Sequence, residues 1–239
     1  DAFVLSGAIK LYRIKNHDLS AKLSRHHTML VHESSTNIEH EDMARLIQRE
    51  IWDKADYEAG VGVDRLKSLF EKDFIPHSKS IETTDEQAKN LPHSFNDLKP
   101  YLTEAIDRIR TGGSVYKIVN QEWEDPDFSK ESIWKIIIGG NKVSRGYTIE
   151  GLTISYYTRP TTAGDTLQQM ARWFGYRKGY KDLVRLYIGR NVGNKERDLF
   201  REFQDIYNMD IELRRRISLF SDHKKNAYEK IVILDIPLL

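Results

Sequence analysis

The chain has 239 residues, 39% of them apolar and 31% charged, with a formal net charge of +1 and no cysteine. Such a length and balance suit a globular domain with a sizeable core, and the missing cysteines exclude disulfides and thiolate metal sites. The longest apolar runs stay under ten residues and no basic leader precedes one, so neither a membrane span nor a signal peptide is read and a cytoplasmic protein is expected.

In chain order, residues 2–19 predict a helix, with Leu5, Ile9, Leu11 and Ile14 near helical spacing. Residues 27–32 read as a buried strand. Ser34, Ser35, Thr36 and Asn37 then offer capping side chains for a helix over 38–55, whose stripe is Met43, Leu46, Ile47 and Ile51. The stretch 57–113 holds helical pieces at 63–74, 84–91 and 95–110, separated by Pro76, Pro92 and the pair Gly112 and Gly113.

Strands return at 115–120, 133–139, 152–158 and 183–188, with helices at 165–176 and 195–220 and a last strand at 230–235. Continuous aliphatic runs such as Ile136-Ile137-Ile138 suit a parallel sheet covered on both faces. The expected fold is therefore α/β, a doubly wound and mainly parallel sheet, with 57–113 as a helical insertion and 114–239 as the motif-bearing half of a single domain. In such sheets ligands gather at the carboxyl ends of strands.

Two segments carry chemistry. The turn Gly139-Gly140-Asn141-Lys142-Val143-Ser144-Arg145-Gly146 follows one strand, and Gln168-Gln169-Met170-Ala171-Arg172-Trp173-Phe174-Gly175-Tyr176-Arg177 comes shortly after another. Residues five apart on a helix lie about 140° apart, so Arg172 and Arg177 share a face only if the helix ends or bends between them, and Gly175 is placed to allow that. Guanidinium is always charged and forks onto two phosphate oxygens, which suits the charge developing in phosphoryl transfer.

The order strand, Ser-Arg-Gly-x-Thr turn, strand, Gln-x-x-x-Arg-x-x-Gly-x-Arg helix resembles the fifth and sixth motifs of superfamily 2 helicases, which lie in the second of their two RecA-like domains. More closely, residues 139–180 are similar to the bacterial Z-one domain, found with helicase-type ATPases and often labelled an endonuclease. The resemblance implies a RecA-like fold. It implies Arg172 and Arg177 as arginine fingers, Gln168 as the opening glutamine of the sixth motif, and Ser144, Arg145 and Gly146 as the nucleotide-contacting fifth motif. Residues 28–35, including Ser34, resemble the fourth motif, and Thr148 stands where the family usually has an acidic residue.

No Gly-x-x-x-x-Gly-Lys-[Ser/Thr] loop is present to wrap the β- and γ-phosphates, so this chain alone is not expected to hydrolyse ATP. ATP and Mg²⁺ would be bound mainly by another domain, the N-terminal RecA-like domain of the same protein; Asp1 in place of Met fits a piece of a longer chain. Between Lys142 and Arg190 nine basic residues face three acidic ones, so this segment carries +6 and the remainder −5. That asymmetry points to a polyanionic partner, whether nucleotide or nucleic-acid backbone. The resemblance implies nucleic acid, DNA by preference, with Lys142, Arg159, Ser34 and Thr148 on its backbone.

Other clusters read as structural. His26, His27 and His32 are expected to be surface or backbone-bonded; Arg214, Arg215 and Arg216 to splay over a solvated helix; Asp125 and Asp127 to sit in a polar turn. Two rivals stay open: an endonuclease that guides DNA to a metal centre, and a non-catalytic module that binds an acidic partner.

Overall fold

The computed structural model describes residues 1–17, 20, 25–33, 36–120, 126–140, 148–159, 179–193 and 197–223. Its centre is a five-stranded, all-parallel sheet ordered β2-β3-β1-β4-β5. The strands are β1 (His27–His32), β2 (Tyr116–Val119), β3 (Trp134–Gly139), β4 (Leu152–Tyr157) and β5 (Arg185–Ile188). This is the expected α/β architecture, consistent with a RecA-like, mainly parallel fold. β3 is buried at every position, as its run of isoleucines predicts.

Side chains alternate across the sheet and feed two cores. Val31, Ile136, Ile138 and Ile154 face the larger one, built with helices α1 (Ala2–Asn16), α3 (Gly60–Leu69) and α5 (Phe95–Arg110). Leu30, Ile137 and Tyr157 face the smaller one, closed by Leu199 and Phe203 of α6 (Leu199–His223). Helix α1 is buried around most of its circumference, and a Cβ on Gly7 would stand 3.0 Å from the rings of His27 and Trp134, so glycine permits the close helix–sheet approach.

Helix α5 begins at a capping box: Ser94 Oγ accepts from the Asp97 amide and Asp97 accepts from the Ser94 amide. At its far end Lys135 donates to the carbonyls of Ile109 (2.7 Å), Thr111 (2.6 Å) and Ser114. A cation there satisfies orphan carbonyls and complements the helix dipole.

Three local expectations fail. The helix predicted over 38–55 is α2 (Asn37–Arg45) continuing as π-helical turns over Leu46–Trp52. Wider turns rotate the face, so Leu46 and Ile51 are exposed while Ala44, Ile47 and Trp52 are buried. Pro76 does not separate two helices: Gly60–Leu69 runs through π-helical turns at Phe70–Phe74 into α4 (Ile75–Ile81), and Pro76 follows directly on those wider turns, where the regular i→i−4 ladder is already interrupted. The helix expected over 84–91 is reduced to a 3₁₀ turn at Glu86–Lys89. The elements expected over 165–176 and 230–235 lie outside the described residues, and no described helix is long and apolar enough to cross a membrane.

Buried charge ties the halves together. Arg13 on α1 forks onto Asp182 at 2.8 and 2.6 Å, with both side chains fully buried. Ser78 donates to the same carboxylate at 2.6 Å, and Arg13 also reaches the carbonyls of Asn90 and Gly179. Lys10, one turn earlier, donates to the carbonyls of His26 and Gly151 and lies 3.8 Å over the Tyr180 ring.

Candidate functional site at the carboxyl edge of the sheet

Strand order decides where a cleft opens. The chain leaves β1 for β2 on one side of the sheet and leaves β4 for β5 on the other, so β1 and β4 are neighbours whose connections diverge. Such a divergence is the place where open α/β sheets bind ligands.

At that point β1 ends with His32 and β4 with Tyr157, continued by Thr158 and Arg159. The Thr158 amide donates to the His32 carbonyl at 3.1 Å, extending the pairing one step beyond the strands. The His32 ring stacks on Tyr157 at 5.3 Å, and Tyr157 meets Phe203 edge-on at 5.7 Å. His32 also has a hydrogen bond to the backbone of Gly140, just past the end of β3. Burial, then Arg159, pull the His32 pKa down to about 4, so the ring is a neutral spacer at physiological pH. Burial pushes the Tyr157 hydroxyl up to about 12, which keeps it a donor.

On the other side of the strand end, a cleft of about 500 Å³ is lined by Glu33, Glu39, Asp42, Met43, Leu46 and Thr158, with other residues. Thr36 caps α2 there, accepting from the Glu39 amide and donating to its carboxylate at 2.6 Å. Partial burial and then Glu39 raise the Glu33 pKa, as expected for carboxylates crowded together. This cleft is acidic and repels phosphate, whereas the guanidinium of Arg159 belongs to the face that carries Tyr157.

Of the residues expected to act, only Arg159 and Thr148 fall within the described set. Thr148 is exposed and Arg159 half-buried. Arg172, Arg177, Gln168, Ser144, Arg145, Gly146, Lys142 and Ser34 lie outside the described residues. Their neighbours do not: Gly140, at the start of the first motif segment just past β3, and Arg159, which comes before the second just past β4, are both described, and the second segment is followed by Gly179, whose carbonyl accepts from Arg13.

Part of the basic stripe is structural. Arg185 pairs with Asp73 at 2.9 Å and lies over the Phe74 ring, while Arg190 is exposed against Phe200. The three arginines of α6 pair locally with Asp210 and Glu212, and Asp127 accepts from Ser129 in its own turn, as expected of solvated features. His27 stacks on Phe3 at 4.5 Å and sits 2.7 Å from its carbonyl, which makes it a backbone-bonded core residue.

Sequence reasoning missed Tyr157, Thr158 and the carboxylate cleft. The run Tyr156-Tyr157-Thr158-Arg159, polar groups directly after an apolar strand, was the available signal. Neither the search of curated proteins nor that of solved structures returned a match. The family model of the Z1 domain, in contrast, matches residues 1–234, nearly the whole chain, and this protein belongs to the Z1 domain family.

Proposed function

We propose that this Z1 domain works as the second RecA-like half of a nucleic-acid-dependent ATPase, closing on a partner domain that holds ATP and Mg²⁺. One observation supports the reading above the rest: Gly140, just past β3, and Arg159, just past β4, flank the end of β1 at the carboxyl edge, beside the β1/β4 divergence, and from there the chain enters both motif segments.

In this reading Arg172 and Arg177 reach the transferring phosphoryl group, a contribution worth about 10³ to 10⁵ in rate. Gln168, Ser144, Arg145 and Gly146 contact nucleotide, and Lys142, Arg159, Ser34 and Thr148 contact nucleic-acid backbone. Phosphate contacts of this kind hold a strand without reading its sequence.

The test is made in the full-length protein. Arg172→Ala and Arg177→Ala are expected to abolish ATP turnover while ATP binding is mostly retained. Unchanged turnover in both variants ends the proposal.

A further inference from the structure

Arg159 has an unusual environment for an arginine. Its Nη1 is buried, and among the described residues it has no hydrogen-bond partner. Among the described residues, the influences on its ionisation are burial and Tyr157, with no carboxylate among them. Two positions back on the same strand face, Tyr157 is 1% exposed and its hydroxyl likewise has no partner among the described residues. The ring is held between His32 and Phe203, so the hydroxyl cannot swing away to find one. Glu202, the carboxylate that acts on Tyr157, is already forked by Arg197 at 2.6 and 2.7 Å.

Leaving a buried donor unsatisfied costs about 1–3 kcal/mol, and more for a charged group. Native structures keep few such atoms, and each calls for an explanation. Here two of them, one cationic and one a neutral O–H, lie on one strand face at the position where the topology opens the sheet.

We propose that Arg159 Nη1 and Tyr157 Oη form a recessed receptor for a single phosphate group at the β1/β4 divergence. The inference deepens the proposed function and rests on it in one respect: the phosphate is taken to belong to a nucleotide or to a nucleic-acid backbone. A tetrahedral phosphate has enough oxygens to accept from a guanidinium and a phenol at once, and Arg is the side chain suited to it. His32 is neutral and adds no second cation, while its bond to Gly140 ties the receptor to the residue just past the end of β3.

The test uses the 239-residue chain with inorganic phosphate as probe and acetate as the control anion, read by calorimetry and thermal melting. Phosphate is expected to bind and raise the melting temperature, and acetate is not. Arg159→Gln should weaken phosphate binding by about tenfold or more, the scale of one charge-assisted hydrogen bond. Tyr157→Phe, which keeps the ring stack, should weaken it by about threefold to tenfold. Arg190→Gln, an exposed cation on another element, should leave it unchanged. If Arg159→Gln fails to fold, Arg159→Lys, which keeps the charge and loses the fork, replaces it with the same expected direction.

Competition by ATP and by a single-stranded oligonucleotide, each added separately, identifies the source of the group. Displacement of phosphate by either one supports the receptor. Equal binding by wild type, Arg159→Gln and Tyr157→Phe overturns it, as does equal binding of acetate, absence of phosphate binding, or phosphate that neither competitor displaces. The readout does not involve turnover, so unchanged ATPase activity in Arg172→Ala and Arg177→Ala would remove the motor reading and leave this result standing on its own.

Discussion

Arg13 and Arg159 are the same residue type in opposite circumstances. At the α1 side of the sheet, Arg13 is fully buried and engages Asp182, Asn90 and Gly179, with Ser78 completing the carboxylate. Lys135 is likewise supplied with three carbonyls. At the carboxyl edge, the buried nitrogen of Arg159 and the hydroxyl of Tyr157 have no partner among the described residues. Buried charge by itself therefore says little about function; whether the protein supplies the counter-groups separates a structural tie from a receptor.

The largest effect that would sharpen this contrast is expected at the tie. Arg13→Ala leaves Asp182 buried and uncompensated and should cost about 3–5 kcal/mol of stability in denaturant melts, whereas replacing both partners together by apolar residues of similar volume should recover much of that loss. A small loss in the single variant would mean that the tie is replaceable and the comparison misplaced.

Acid provides the next probe. The folded-state pKa of His32, about 4, lies below the unfolded value near 6.5. As pH falls through that window the unfolded chain takes up a proton that the folded chain refuses, so stability is lost progressively and the loss levels off below pH 4. His32 alone accounts for about 3 kcal/mol, and His27, whose pKa burial also lowers, adds in the same direction. Melting temperature followed from pH 7 to pH 4 checks this, and a flat profile would contradict the neutral spacer beneath the edge.

The smallest effect is expected at the receptor. Arg159→Gln should leave stability unchanged or raise it by about 1 kcal/mol, since it removes an unsatisfied buried charge and strands no described partner. A loss as large as that of Arg13→Ala would show that Arg159 is itself a structural tie and would erase the difference between the two regions.

Much of the scaffold was legible beforehand. The first strand falls on 27–32 and the helix over 95–110 runs over those residues, one read as a buried strand and the other as a helical piece set off by Pro92 and the pair Gly112 and Gly113. The departures came where local signals were followed too literally: π turns moved Leu46 and Ile51 to solvent, and Pro76 followed directly on π turns instead of separating two helices. At the edge, Arg159 was recognisable as a cation in a basic stripe, but Arg185 looked the same and turned out to be paired with Asp73.

Local patterning thus determined the elements, their burial and the parallel class of the sheet, because each depends on residues within a few positions of one another. The order β2-β3-β1-β4-β5, the divergence at β1 and β4, and the fate of each arginine were decided only by the tertiary structure. The partner of Arg13 is 169 residues away, and no local spacing encodes a contact closed across that distance.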